Sequence, residues 1–188
     1  MLVYRVFPHV PRAATGEAGH PMHIHPTQGY GRWDNVDLYS ALYTAQHAPA
    51  AIGETFAHVT TWTASMLEFP ALAAVRALAV YSVDEERFPL LDLDDAAALL
   101  QRALRPTDVV MRNRPRTQAI ARQAHAEDRW SGLRWWSMHR PQWTLHCWWN
   151  LAGFRLEAVE DLRGHAALRD AARTLAKPID VHLAGSSD

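Results

Sequence analysis

Runs of strand character and runs of helical character succeed one another along this chain without the regular β-α alternation that a doubly wound or barrel fold requires. Residues 2–7 alternate and carry the β-branched side chains of a first strand. Residues 38–45, 75–83, 89–93, 133–137, 143–149 and 155–159 read the same way. Helices are predicted where start and stop signals stand. Pro49 suits the first turn of a helix running to about Thr63. Asp94 suits the N-cap of a helix through Leu104, and Thr117 the cap of a helix over 118–127. A last helix over 165–176 is stopped by Pro178. The mixture predicts an α+β fold, and the pattern does not give the strand order. From His9 to Gly31 the chain is rich in Pro, Gly and His, and loops of that length in compact domains tend to be functional or mobile.

With 188 residues, 48% of them hydrophobic and 21% charged, the expectation is a single domain spanning 1–188 with a real core. Met1 and the residues after it lack a basic segment followed by an apolar one, so no secretory signal is expected. The most apolar window, 69–83, contains Pro70 and Arg76 and is too short to cross a bilayer. Cys147 is the only cysteine, which excludes an internal disulfide and fits a reducing compartment. The chain therefore reads as cytoplasmic, with no membrane partner. A net charge of −1 provides no general electrostatic footprint for nucleic acid. The charge is uneven, however. Residues 1–100 carry 5 basic and 11 acidic side chains, and residues 101–188 carry 14 and 9. The basic back half suits either an anionic ligand or solvated helix faces.

Arg32, Tyr43 and Glu54 stand eleven residues apart in three different settings. Arg32 follows Gly29-Tyr30-Gly31, where glycines permit close approach to a ligand. Tyr43 falls on the second strand and Glu54 inside the helix after it. A carboxylate with alanines around it is either a solvent-facing helix residue or a buried functional one. Taken singly, each residue also has an ordinary structural role. Arg5 can be a strand-edge residue, Tyr43 a core aromatic with a satisfied hydroxyl, and Ser137 a plain strand residue.

Read in order, Tyr4-Arg5-Val6, Gly31-Arg32-Trp33, Leu42-Tyr43-Thr44-Ala45 and Ala50-Ala51-Ile52-Gly53-Glu54 resemble the RES domain. Thr117-Gln118-Ala119-Ile120-Ala121-Arg122, Gly132-Leu133-Arg134-Trp135-Trp136-Ser137 and the apolar strand over 143–149 continue the likeness. The resemblance covers roughly residues 2–159. It implies a mixed sheet flanked by helices, like that of ADP-ribosyltransferase toxins. It also implies a toxin of a toxin–antitoxin pair that degrades NAD by hydrolysis or phosphorolysis. NAD is then substrate rather than cofactor, and a helix-turn-helix antitoxin is the implied partner, with self-association compatible. By this resemblance the family's arginines fall on Arg5 and Arg32, its tyrosine on Tyr43, its glutamate on Glu54 and its serine on Ser137, with Tyr4 beside the binding set. Three departures stand in the loops: Trp33-Asp34-Asn35-Val36-Asp37 replaces an Asn-Pro-rich turn, Trp136 replaces the proline before the serine, and Tyr30 splits a glycine pair. Some relatives transfer ADP-ribose to a protein, which is the alternative activity. A module that only binds a nucleotide or a partner is the non-enzymatic one.

The chemistry agrees with the assignment. Arginine's planar fork pairs with phosphate oxygens, so Arg5 and Arg32 suit the diphosphate. Tyr43 suits the nicotinamide ring or the ribose, and Ser137 a ribose or phosphate oxygen. Cleavage builds positive charge on the ribose, and the Glu54 carboxylate can stabilise that charge and activate the acceptor. Other signals are weaker. His20, His23 and His25 lack a carboxylate partner at fixed spacing, and no metal is expected. His146 and Cys147 alternate to opposite faces of a strand, so they are not a nucleophile pair. Ser137 and His139 share a face without a nucleophile elbow around the serine. The tryptophans over 130–149 read as core and pocket wall rather than as a stacking platform for nucleic acid.

Overall fold

The computed structural model describes residues 1–184. Eight strands form a mixed sheet, flanked by helices, which makes the fold α+β. In chain order the elements are β1 (Leu2–His9), β2 (Leu42–Ala45), α1 (Ala48–Phe56), β3 (Glu68–Phe69), β4 (Ala74–Ser82), β5 (Leu90–Asp92), α2 (Ala96–Gln101) and α3 (Pro106–Val110). There follow α4 (Arg114–Ala126), β6 (Gly132–Trp136), β7 (Thr144–Trp148), β8 (Arg155–Asp161), α5 (Ala166–Thr174) and α6 (Val181–Ala184). The strand order is β3-β4-β1-β2-β7-β6-β5, with β8 also paired to β4. The chain divides into two compact units, one comprising residues 2–23, 45–82 and 155 onward, the other Met1, 24–44 and 83–154.

In the first unit β1 runs antiparallel to β4 from Leu2↔Ser82 to His9↔Val75, and β8 runs antiparallel along β4. Helix α1 packs on β1 and on α5. Small residues make that approach close: Ala50, Ala51 and Gly53 are buried on α1, as are Ala167, Ala171 and Ala172 on α5. Helix α1 ends at Phe56, well short of Thr63. The cause lies downstream: Trp62 N donates to Pro178 O and Asp180 N to Trp62 O, which draws the chain into an extended bridge with Ile179. Helix α5 stops at Thr174, before Pro178 is reached, and Ala176 takes a left-handed φ of 50°.

In the second unit β6 is antiparallel to β7 and parallel to β5. A parallel pair needs a crossover, and residues 93–131 supply it with α2, α3 and α4. Gly132 marks a close approach, since a Cβ there would lie 2.2 Å from Cys147 O. Several boundaries differ from expectation for local reasons. Residues 38–41 are not strand, because Leu38 N and Tyr39 N both donate to Asn35 O in a turn. Asp95, not Asp94, caps α2, accepting from Ala97 N. Helix α4 begins before Thr117, with Asn113 as its cap and Pro115 in its first turn.

Candidate functional site

The segment Gly29 to Asp34 has no regular secondary structure, yet its peptide groups are bonded almost throughout. Asp34 Oδ2 accepts from Gly29 N at 2.8 Å and from Gly31 N at 2.7 Å. Its Oδ1 accepts from the Tyr43 hydroxyl at 2.7 Å, and that hydroxyl accepts from Trp33 N at 3.0 Å. Helix α4 takes the carbonyls. Gln118 Nε2 donates to Gly29 O and Gly31 O, Thr117 Oγ1 to Arg32 O, and Arg114 Nε to Tyr30 O. Gly29 has a φ of 132°, which favours glycine, and Gly31 leaves the space that Asp34 and Tyr43 occupy. The Tyr30 ring at the tip is 90% exposed.

Arg32 extends from this framework. Its Nη1 donates to Val109 O and Met111 O at the end of α3, and its Nη2 lies 3.8 Å from Met138 Sδ. Ser137, one residue before Met138, is fully buried after β6, and its Oγ accepts from His139 N and Arg140 N. The structure thus brings Arg32, Tyr43 and the Ser137 turn into one unit. Tyr43 is a half-buried aromatic on β2 with its hydroxyl engaged inward. Its ring meets Trp135 edge-on, and Trp135 also meets Trp33. Burial, with the neighbouring Cys147 thiol and the Asp34 carboxylate acting in the same direction, pushes the Tyr43 phenol well above its usual range, so it stays protonated and donates.

The other unit holds Arg5, Tyr4 and Glu54. Arg5 stands on β1 with Nη1 donating to Pro21 O and His23 O of the long loop. The Tyr81 hydroxyl donates to the same Pro21 carbonyl at 2.6 Å. Register places Val3 opposite Tyr81 and Arg5 opposite Ala79, so Arg5 and Tyr81 are diagonal neighbours on one face. Burial lowers the Arg5 guanidinium's pKa, and Tyr81 partly offsets the effect. Tyr4 projects to the opposite face of the strand. Glu54 is half-buried on α1, the helix that packs on β1.

The residues set aside earlier have local roles. His20 Nδ1 accepts from Met22 N, His23 Nδ1 meets Gly16 O, and His25 Nδ1 accepts from Thr27 N, each shaping a turn of the long loop. Among the described residues no three His, Cys, Asp or Glu side chains group as a metal site, and no helix is long and apolar enough to cross a membrane. Burial pushes the Cys147 thiol far up, with the Asp34 charge adding to it. Trp33, Trp135, Trp143 and Trp148 are buried. Sequence reasoning missed Asp34 and Tyr81 as organising residues, and it gave Thr117 the role of a helix cap but neither Thr117 nor Gln118 a role at the site. For Asp34 a signal existed: Asp shortly after Gly-x-Gly is a side chain suited to accept the turn's own amides.

A family model described as "RES domain" matches residues 2–171. A chain of the crystal structure of the M. tuberculosis MbcT–MbcA toxin–antitoxin complex is similar in fold, with a TM-score of 0.60. It is 20% identical, over 94% of this chain and 89% of that one. No curated protein matches the sequence.

Proposed function

The chain belongs to the RES domain family, and on that premise we propose that it degrades NAD by cleaving the bond between nicotinamide and ribose. The observation that carries this reading is the framework around Arg32. An arginine is the side chain suited to a diphosphate, and here its backbone is held by side chains from β2 and α4 before any ligand arrives. A site built in advance spends less of its binding energy on ordering. Arg32 and Arg5 contact the diphosphate. Glu54 stabilises the positive charge that develops on the ribose as nicotinamide leaves, and activates water or phosphate to take its place. Tyr43 and Ser137 brace the set from within, their oxygens already engaged by Asp34, Trp33, His139 and Arg140, and Tyr4 lies on the opposite face of β1 from Arg5. No metal or organic cofactor is needed for these steps.

The chain acts in the cytoplasm, where NAD is at hand, and an antitoxin of the helix-turn-helix kind restrains it. The support for a restraining partner is the likeness to a chain from a toxin–antitoxin complex. Purified protein incubated with NAD, with and without phosphate, tests the reaction. Free nicotinamide should appear, accompanied by ADP-ribose if water is the acceptor or by its phosphorylated form if phosphate is. Label transferred to protein would instead identify a transferase. Glu54→Gln keeps the size of the side chain and removes its charge, and should slow turnover by roughly two to four orders of magnitude with little change in NAD binding. Absence of nicotinamide from a folded parent protein, or parental turnover in Glu54→Gln, would defeat the reading.

A further inference from the structure

We infer that Asp34 is the positioning residue of Arg32, an inference that rests on the reading of Arg32 as a diphosphate contact. The backbone bonds that Asp34 accepts fall on the turn that carries Arg32. Asp34 acts through the turn. One carboxylate oxygen accepts from the amides of Gly29 and Gly31, and the other accepts a hydrogen bond from the Tyr43 hydroxyl. Tyr43 in turn holds Trp33 N, so the residues on both sides of Arg32 are tied to one carboxylate directly or through one hydroxyl. The space around Gly31 shows how tight the arrangement is. A Cβ there would lie 2.3 Å from Asp34 Oδ1 and 2.6 Å from the Tyr43 hydroxyl. Asp34 is only 5% exposed, so its acceptors have no ready replacement in bulk water.

Loss of the carboxylate frees three donors and lets the turn relax, while the carbonyl anchors on Thr117 and Gln118 persist. The backbone that carries Arg32 is then set less firmly, and the contacts of its guanidinium with Val109 O and Met111 O no longer start from one fixed Cα position. The cost falls on binding, because the diphosphate contact is made equally in ground and transition states. Asparagine can rebuild the arrangement. Its Oδ1 accepts from the two glycine amides and its Nδ2 donates to the Tyr43 oxygen, which keeps a second lone pair for Trp33 N and loses only the acceptor of its own proton.

The test is steady-state kinetics on NAD for Asp34→Ala, Asp34→Asn, Arg32→Ala and the Asp34→Ala/Arg32→Ala pair, with amide hydrogen exchange at Gly29, Gly31 and Trp33. Asp34→Ala should raise KM by roughly tenfold to a hundredfold and leave kcat within about threefold. A merely destabilised protein would instead lose active fraction at constant KM. Asp34→Asn should recover to within about fivefold of the parent KM. In the Arg32→Ala background, Asp34→Ala should add no more than about a twofold effect, since it acts through the side chain already removed. An unchanged KM in Asp34→Ala, equal damage from Asn and Ala, or additive effects in the pair would overturn the inference. Should Asp34→Ala fail to fold, exchange in Asp34→Asn decides, and loss of protection at the three amides there would also overturn it. A parent protein that protects those amides but leaves NAD intact would defeat the functional reading of Arg32 instead.

Discussion

Tyr43→Phe removes one oxygen from the framework and tests the structural role of the hydroxyl. The hydroxyl donates to Asp34 Oδ1 and accepts from Trp33 N. Phenylalanine leaves the ring and its edge contact with Trp135 in place. It orphans one amide and takes one donor from a carboxylate that is almost fully buried. An unsatisfied buried amide costs about 1–3 kcal/mol, and a lost bond to a charged group is worth about 1.5–3 kcal/mol. The space vacated by one oxygen is too small for a bridging water with several polar partners. The two losses share one atom, so a total of roughly 2–5 kcal/mol follows. For a chain of this length each kcal/mol moves the melting temperature by roughly 2–4 °C. Thermal unfolding followed by calorimetry should therefore show Tyr43→Phe melting roughly 4–20 °C below the parent. Tyr4→Phe, on the other face of β1, is the control and should stay within about 0.5 kcal/mol. A drop of less than about 2 °C in Tyr43→Phe would mean that the orphaned groups find other partners, and the argument from the hydroxyl would fall.

Gly132→Ala should be more damaging still, because the new Cβ would meet the Cys147 carbonyl and the Trp148 backbone, which cannot swing aside as the nearby end of Leu90 can. Poor soluble yield or a melting temperature below that of Tyr43→Phe is expected, and a parent-like melt would refute the close approach of β6 and β7. Glu127 predicts part of the acid limb of stability. Burial alone would raise its carboxyl, but bonds from Trp130, Arg129 and Arg102 outweigh it and hold the pKa below the usual value. Its contribution is thus present above the ordinary glutamate range and is lost as the pH falls through the depressed value. Glu127→Gln should flatten that part of a stability-against-pH curve, and an unaltered acid limb would show that the cluster does not contribute.

The strands with clear alternation or dense apolar content were legible before any coordinates. Those over 75–83, 89–93 and 133–137 are displaced by no more than a residue or two from β4, β5 and β6. Boundaries failed where a distant partner decided them. Nothing near Thr63 in sequence announces that Trp62 will bridge Ile179, so α1 was drawn too long. Residues 38–41 have strand-like side chains, but Asn35 turns the chain there through its carbonyl. The resemblance singles out Arg32 and Tyr43, and the structure places the Tyr43 hydroxyl on the amide next to Arg32. Asp34 escaped notice because it was seen as a departure from the family's turn rather than as an acceptor. Its three partners lie at positions 29, 31 and 43, and only the folded chain makes them neighbours.

The carbonyl anchors of the Arg32 turn have a consequence for the order in which the molecule is made. Thr117 and Gln118 lie 85 to 89 positions beyond the residues they hold. Contacts of such separation require closing a long stretch of chain before any gain is realised, and they form late compared with turns and helices. During synthesis the Gly29–Trp33 segment must wait for α4 to emerge and dock along with the rest of the crossover between β5 and β6. A nascent chain ending before Thr117 carries Arg32 on a tether rather than on a platform. If Arg5, Arg32, Tyr43 and Glu54 hold NAD as proposed, affinity would then arrive abruptly with the second half of the polypeptide, and fragments released early by proteolysis or stalled translation would bind weakly even with all four present.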